Sequence, residues 1–181
     1  DSHYQESDRI YRVVNQWSES GETGYWANVH GPLKVLLEEN IPEMEQVARV
    51  VSWRWGDAGE NHVKLRNSET NTYEDGFLHA DPELLSILEI PMISGDPSTA
   101  LTEPNTLVIS QSKAKQYFPN KNPLGEQIVL NNNAETTYKI SGVMEDLPVN
   151  SHLQGDFILT MEGRKWGPGT TGWCCTNYNM Y

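Results

Sequence analysis

Pro32-Leu33-Lys34-Val35-Leu36-Leu37-Glu38-Glu39-Asn40 is the stretch on which the reading of the fold turns. Leu33, Leu36 and Leu37 recur at helical spacing, Pro32 has the fixed φ that suits a first helical turn, and Asn40 suits a helix end. Upstream, residues 9–14 set Ile10, Arg12 and Val14 in alternation with Tyr11 and Val13, which predicts a first strand followed by a polar loop over residues 18–24. Downstream, residues 47–55 are rich in β-branched and aromatic side chains, and Val47, Val51, Trp53 and Trp55 are expected on one face of a second long strand. Strand, helix and strand in this order predict a βαβ-type start.

Beyond it the pattern shortens. Residues 62–66 and 73–78 are alternating runs separated by Asn, Ser and Thr, and residues 106–109 form an apolar strand. Two short helices are expected, one opened by Asp81-Pro82 and one capped by Ser110 ahead of Ala114, Tyr117 and Phe118. Pro123-Leu124-Gly125 reads as a turn, residues 127–130 and 137–143 as strands joined through Asn131-Asn132-Asn133, and residues 156–161 as a last strand. Residues 163–181 carry no clear pattern. The whole predicts an α+β chain of two lobes: a βαβ lobe over residues 8–71 and 154–181, and an inserted, mostly β lobe with two short helices over residues 72–153.

The composition of the 181 residues, 37% apolar and 21% charged, is that of a chain that folds. Its formal charge of −12 repels phosphate backbones and anionic lipid headgroups, so nucleic acid is not an expected partner. Apolar runs such as Val35-Leu36-Leu37 fall far below the roughly 18 residues of a membrane span. The chain opens at Asp1 without a signal-type stretch, which leads us to expect a mature secreted product or an excised segment.

Chemistry-bearing patterns are sparse. His3, His30, His62, His79 and His152 stand apart with no i, i+4 pair, and near strand or helix boundaries they read as turn or cap residues rather than metal ligands. Cys174 and Cys175 are adjacent; a bond between them would be strained, and they read as two small side chains in a tail. There is no Gly-x-Ser-x-Gly elbow, and the glycines of residues 163–172 lack the frame of a phosphate cradle. Glu38, Glu39, Glu43, Glu45, Glu145 and Asp146 could supply a glycosidase pair, but solvated surface is the simpler reading. Trp53 and Trp55 suit a core face, and core is the simpler reading for Trp166 and Trp173 too, although rings in that Gly-rich tail, with Tyr178, could stack on a sugar or a partner. No catalytic, cofactor-binding or metal residue is therefore expected, no cofactor is required, and any ligand-binding residues are left open.

Several runs then fall into a familiar order. Asp8-Arg9-Ile10-Tyr11-Arg12-Val13, the helix around residues 32–37 and Ile41-Pro42-Glu43 resemble the opening of the periplasmic core domain of MacB-type and FtsX-type ABC transporter permeases. Residues 81–90, Pro91-Met92-Ile93-Ser94-Gly95-Asp96-Pro97, Ala100-Leu101-Thr102-Glu103-Pro104 and Val108-Ile109-Ser110 resemble that family's most characteristic stretch. Pro123-Leu124-Gly125-Glu126, Ile140-Ser141-Gly142-Val143 and residues 146–152 continue the likeness, which runs from Asp8 to about Glu162.

The resemblance implies a non-enzymatic domain on the periplasmic face of the inner membrane, tethered by flanking membrane helices. It further implies a porter-like lobe with a mostly β insertion, transmitting conformational change between those helices and a periplasmic partner or cargo. The implied partners are the permease's own helices, a second permease copy, the cytoplasmic ATPase acting indirectly, and a periplasmic adaptor or lipoprotein cargo. In the family the porter-like lobe continues with another helix and strand after the segment matching residues 156–161, so a shortened or cut lobe is expected here. The competing expectations are a freestanding secreted binding module with exposed aromatic residues, and a hydrolase working with His79 or His152 and a carboxylate.

Overall fold

The computed structural model describes residues 8–52, 58–164 and 172–181. In chain order its elements are β1 (Asn15–Glu19), β2 (Glu22–Trp26), β3 (Val29–His30), α1 (Leu33–Asn40), β4 (Arg49–Val51), β5 (Gly59–Leu65) and β6 (Asn71–Ala80). They continue with α2 (Leu84–Ile87), β7 (Met92–Ser94), β8 (Thr106–Ser110), α3 (Gln111–Tyr117), β9 (Gln127–Leu130), β10 (Thr137–Met144), β11 (Phe157–Thr160) and β12 (Thr176–Met180). The fold is mixed, dominated by sheet, with few and short helices.

The strand–helix–strand unit predicted around α1 is present, but β3 opens it rather than residues 9–14. β3 and β4 each pair antiparallel with β12, one on either side, so β3 and β4 run parallel with the C-terminal strand between them. The alternation in Thr176-Asn177-Tyr178-Asn179-Met180 accounts for that central place. Tyr178 and Met180 are fully buried, while Asn177 and Asn179 are half-buried between them. Leu33 and Leu37 of α1 pack on a cluster of Val29, Val47, Val51, Tyr178 and Met180. Leu36, expected on that face, instead points outward at 44% exposure.

Residues 9–14 do not form the expected first strand. They are mostly exposed, and the Val13 amide gives them a backbone bond to the Met180 carbonyl at 2.9 Å, continuing the β3 side of β12. The expected polar loop over residues 18–24 is part of the hairpin β1–β2 instead. Ser20 and Gly21 sit at φ 53° and 87°, which matches the right-handed strand twist in a two-residue hairpin turn. Of the expected strand over residues 47–55, only Arg49–Val51 pairs as strand; Trp53 and Trp55 lie outside the described residues.

The β-rich section follows its predicted pattern closely. Strands β11, β8, β10, β9, β5 and β6 are neighbours in that order, and a further pairing of β11 with β6 closes the circuit. Its interior holds Val63, Phe77, Leu107, Ile109, Ile128, Leu130, Tyr138, Ile140, Phe157 and Leu159, with Phe118 from the end of α3. The rings of Phe77 and Phe157 stack there at 4.3 Å. Ser110 caps α3 by accepting from the Lys113 amide, as its sequence position predicts. Residues Leu78, Ala80, Val108 and Ile158 face the other way, against Leu84, Leu85 and Leu88 in and beside α2.

Candidate functional site

Three groupings of side chains organise the molecule around the junction of α1, β4, β6 and β12. In the first, the N-terminal segment and the C-terminal strand run together. Beside the Val13–Met180 bond, Arg12 Nη2 donates to Asn179 Oδ1 at 2.8 Å, and the Tyr181 amide and carbonyl both bond to Ala48. His152 stacks at 5.4 Å on Tyr181, which brings the chain turn after β10 to the same place. Burial, then the nearby Arg12 charge, pushes His152 below its ordinary range.

In the second, Asp81 at the end of β6 is buried and holds two cations. Arg49 of β4 donates from its backbone amide and from Nε to Asp81 Oδ2, and Lys34 of α1 stands 3.4 Å from the same oxygen. Lys34 also donates to Glu83 at 2.9 Å and lies 3.7 Å from Glu38. Burial lowers the Lys34 pKa, but Asp81, Glu83 and Glu38 together outweigh it and leave the ammonium above its usual value. Arg49 additionally sits over the Tyr178 ring, 5.6 Å from its centre.

In the third, Glu74 on β6 is buried beneath α3, and Lys113, Gln116 and Tyr117 all donate to it. Burial alone would raise this carboxyl; the three donors overcome that and hold it below the ordinary range. In the second and third groupings every charged side chain faces an opposite charge or a donor, an arrangement that joins elements of the fold.

Two concavities accompany them. One of about 540 Å³ lies between residues 9–13, the end of α1 and Ile87, with Ile10, Val13, Leu37 and Ile41 among its walls. The other, about 780 Å³, opens between the β5–β6 turn and the chain after α3. Neither contains a histidine among its walls.

The candidates singled out by sequence are dispersed. His30 faces Trp173, His62 faces Tyr73, His79 is buried in β6, and His3 lies outside the described residues. Among the described residues no group of three or more His, Cys, Asp or Glu is placed to hold a metal. Asp146 accepts from the Ser112 amide and hydroxyl, which lower its pKa, and so braces the start of α3. Glu43 and Glu45 border the smaller concavity, while Glu38 pairs within its helix and Glu39 is exposed. Among the described residues the platform that a binding module would need is not present: Tyr178 is buried and Trp173 is 54% exposed, while Trp166 lies outside the described residues.

Sequence reasoning missed a different aromatic surface. Trp17 and Trp26 share one face of the β1–β2 hairpin at 38% and 60% exposure, with the Trp17 indole across Gly24, and Tyr25 stands on the opposite face at 68%. Ser20-Gly21 between alternating runs was the available signal.

Comparison with known proteins bears on these features. A model of the MacB-like periplasmic core domain matches residues 1–168. No curated protein is significantly similar to the chain. Among solved structures, the chain resembles a domain assigned to a permease protein of Porphyromonas gingivalis at TM-score 0.75 and 23% identity, over 93% of this chain and 72% of that one. It also resembles the periplasmic region of MacB from Actinobacillus actinomycetemcomitans at TM-score 0.52 and 10% identity, over 85% and 78% of the two chains. The extracellular domain of the noncanonic ABC-type transporter YknZ from Gram-positive bacteria aligns at TM-score 0.51 and 13% identity, over 85% and 72%. At these identities the structural likeness is one of fold. Among the described residues no helix is long and apolar enough to cross a membrane.

Proposed function

The chain belongs to the MacB-like periplasmic core domain family, and from that membership we propose that it passes conformational change between the membrane helices of an ABC transporter permease and a periplasmic partner or cargo, with no reaction of its own. The observation that carries this reading is the contact of residues 12–13 with residues 179–180. A lever moves as one body only where segments far apart in its chain are tied together. Here both segments belong to the β3–α1–β4 unit, through β12.

In this reading that unit, with β12, is the heart of a porter-like lobe over residues 8–71 and 154–181 next to the membrane, residues 72–153 form the inserted lobe that reaches away from it, and β5 and β11 of the first lobe pair into the sheet of the second. Strand β6 begins at Asn71 and pairs with both β4 and β5, so the two lobes share a strand and move together. The partners are the permease's own helices, a second permease copy, the ATPase acting through the membrane part, and an adaptor or lipoprotein on the far side.

The test uses the whole permease in proteoliposomes with its ATPase. A spin label attached at exposed Glu135, in the loop between β9 and β10, reports the separation of the two copies. Trapping the ATP-bound state is expected to change that distance distribution. An identical distribution with and without nucleotide overturns the lever.

A further inference from the structure

The last strand is entered through an arch of four residues over one histidine. The Trp173 ring packs on the His30 ring at 5.4 Å, and three residues later Thr176 pairs with His30 across the β12–β3 ladder. Cys174 and Cys175 form the middle of this arch, with Cys174 exposed and Cys175 partly so. Their sulfurs are 2.7 Å apart. The arch therefore holds two thiols in mutual contact and open to solvent.

From this geometry we propose that Cys174 and Cys175 form a thiol–disulfide exchange site that reacts with small disulfides and closes to a bond between neighbouring residues. The chemistry balances in two displacements. The Cys174 thiolate attacks one sulfur of R–S–S–R; a Cys174–S bond forms, the S–S bond of the small disulfide breaks, and R–S⁻ leaves with the electron pair. Cys175 then gives up its proton, its sulfur attacks Cys174 Sγ, and the second R–S⁻ departs. Two thiols are oxidised, and one disulfide is reduced to two thiols.

Order and reversibility follow from the same geometry. Cys174 is the more exposed of the two and meets a disulfide in solvent first, so Cys174 is the first nucleophile and Cys175 the resolving one. Neighbouring Cα atoms lie about 3.8 Å apart, below the usual disulfide range of about 4.4–6.8 Å. The closed ring is therefore strained, and strained, exposed disulfides are the oxidising and labile ones. The site gives its disulfide up as readily as it takes it, in a family whose domains face the oxidising periplasm.

The test treats the folded chain with excess 5,5′-dithiobis(2-nitrobenzoate) and weighs the product. Ring closure releases two thionitrobenzoates per chain and leaves no adduct, only a mass about 2 Da below that of the reduced chain. C174S and C175S each release one and keep one adduct. Oxidised glutathione in excess is expected to give the same lighter product, and dithiothreitol to reverse it without unfolding. Adducts retained on the unsubstituted chain, covalent dimers through these residues, or thiols that do not react in the folded state would each overturn the proposal. The outcome is independent of whether the domain acts as a lever.

Discussion

The guanidinium of Arg49 grips both carboxylate oxygens of Asp81, with Nε donating to Oδ2 at 2.8 Å and Nη2 to Oδ1 at 3.0 Å. This fork ties β4 to the end of β6, and Lys34 adds α1 to the same carboxylate. Because Asp81 is 2% exposed, its removal leaves the Arg49 guanidinium without the carboxylate that offsets its burial and leaves Lys34 with Glu83 and Glu38 alone.

Asp81→Ala is accordingly expected to cost about 3–5 kcal/mol, in the range for breaking a buried ion pair by removing one partner. Asp81→Asn keeps an acceptor for the Arg49 amide and should cost less. The midpoints of urea unfolding rank the two variants. Equal midpoints would mean that the retained acceptor contributes nothing and that the whole loss is that of the charge.

Glu74 gives the fold a built-in acid sensitivity. Its folded pKa lies below the ordinary 4.5 because Lys113, Tyr117 and Gln116 outweigh the cost of burial. A carboxyl depressed by folding contributes stability that is present above its unfolded pKa and lost as pH falls through the lower folded value. Unfolding free energy should therefore decline as pH drops below about 4.5, and Glu74→Gln should flatten that decline while lowering stability near neutrality. A parallel pH profile in the variant would place the sensitivity elsewhere.

What the sequence disclosed and what it hid divide along a physical line. Residues 106–109, 127–130, 137–143 and 156–161 read as strands because each is a short apolar or alternating run bounded by turn residues, a signal that holds wherever the partner strand lies. Ser110 was legible as a cap because capping depends on residues three positions apart. β12 was hidden because Asn177 and Asn179 flank its core residues in a Gly-, Pro- and Thr-rich context, and its partners lie over a hundred residues earlier in the chain. Residues 9–14 misled for the opposite reason: the alternation was there, but the β3 side of β12 leaves them only a short length of strand to pair with. The Arg49–Asp81–Lys34 cluster joins three separate elements, and no spacing rule connects positions 34, 49 and 81.

Two glycines in left-handed backbone separate the cost of φ from the cost of contact. Gly125, at φ 83°, has nothing within 4 Å of where a Cβ would stand. Gly95, at φ 88°, would place a Cβ 2.6 Å from the Ser141 carbonyl oxygen and 2.8 Å from Gly142 Cα, against the bulge where β10 shifts register along β8. Gly125→Ala should cost about 1–2 kcal/mol for the conformation alone. Gly95→Ala should add about 1–3 kcal/mol, because rigid backbone on both sides must separate. Thermal unfolding of the two variants measures the difference, and a smaller loss at Gly95 would contradict the close approach.

Removing β12 tests how far the β3–α1–β4 unit stands on its own. A chain ending at Cys175 loses Tyr178 and Met180 from the cluster that also holds Val29, Val47 and Val51, and leaves β3 and β4 unpaired on their facing edges. The closed circuit of β5, β6, β8, β9, β10 and β11 loses none of its interior residues. Amides of β3 and β4 should then exchange with solvent at rates near those of an unfolded chain, while those of β8, β10 and β11 keep their protection. Collapse of protection throughout would mean that the two parts fold as one cooperative unit and that the proposed division into lobes has no energetic counterpart. Selective loss would show that the C-terminal strand alone holds the β3–α1–β4 unit together, so that a pull on it loosens that unit before it disturbs the rest.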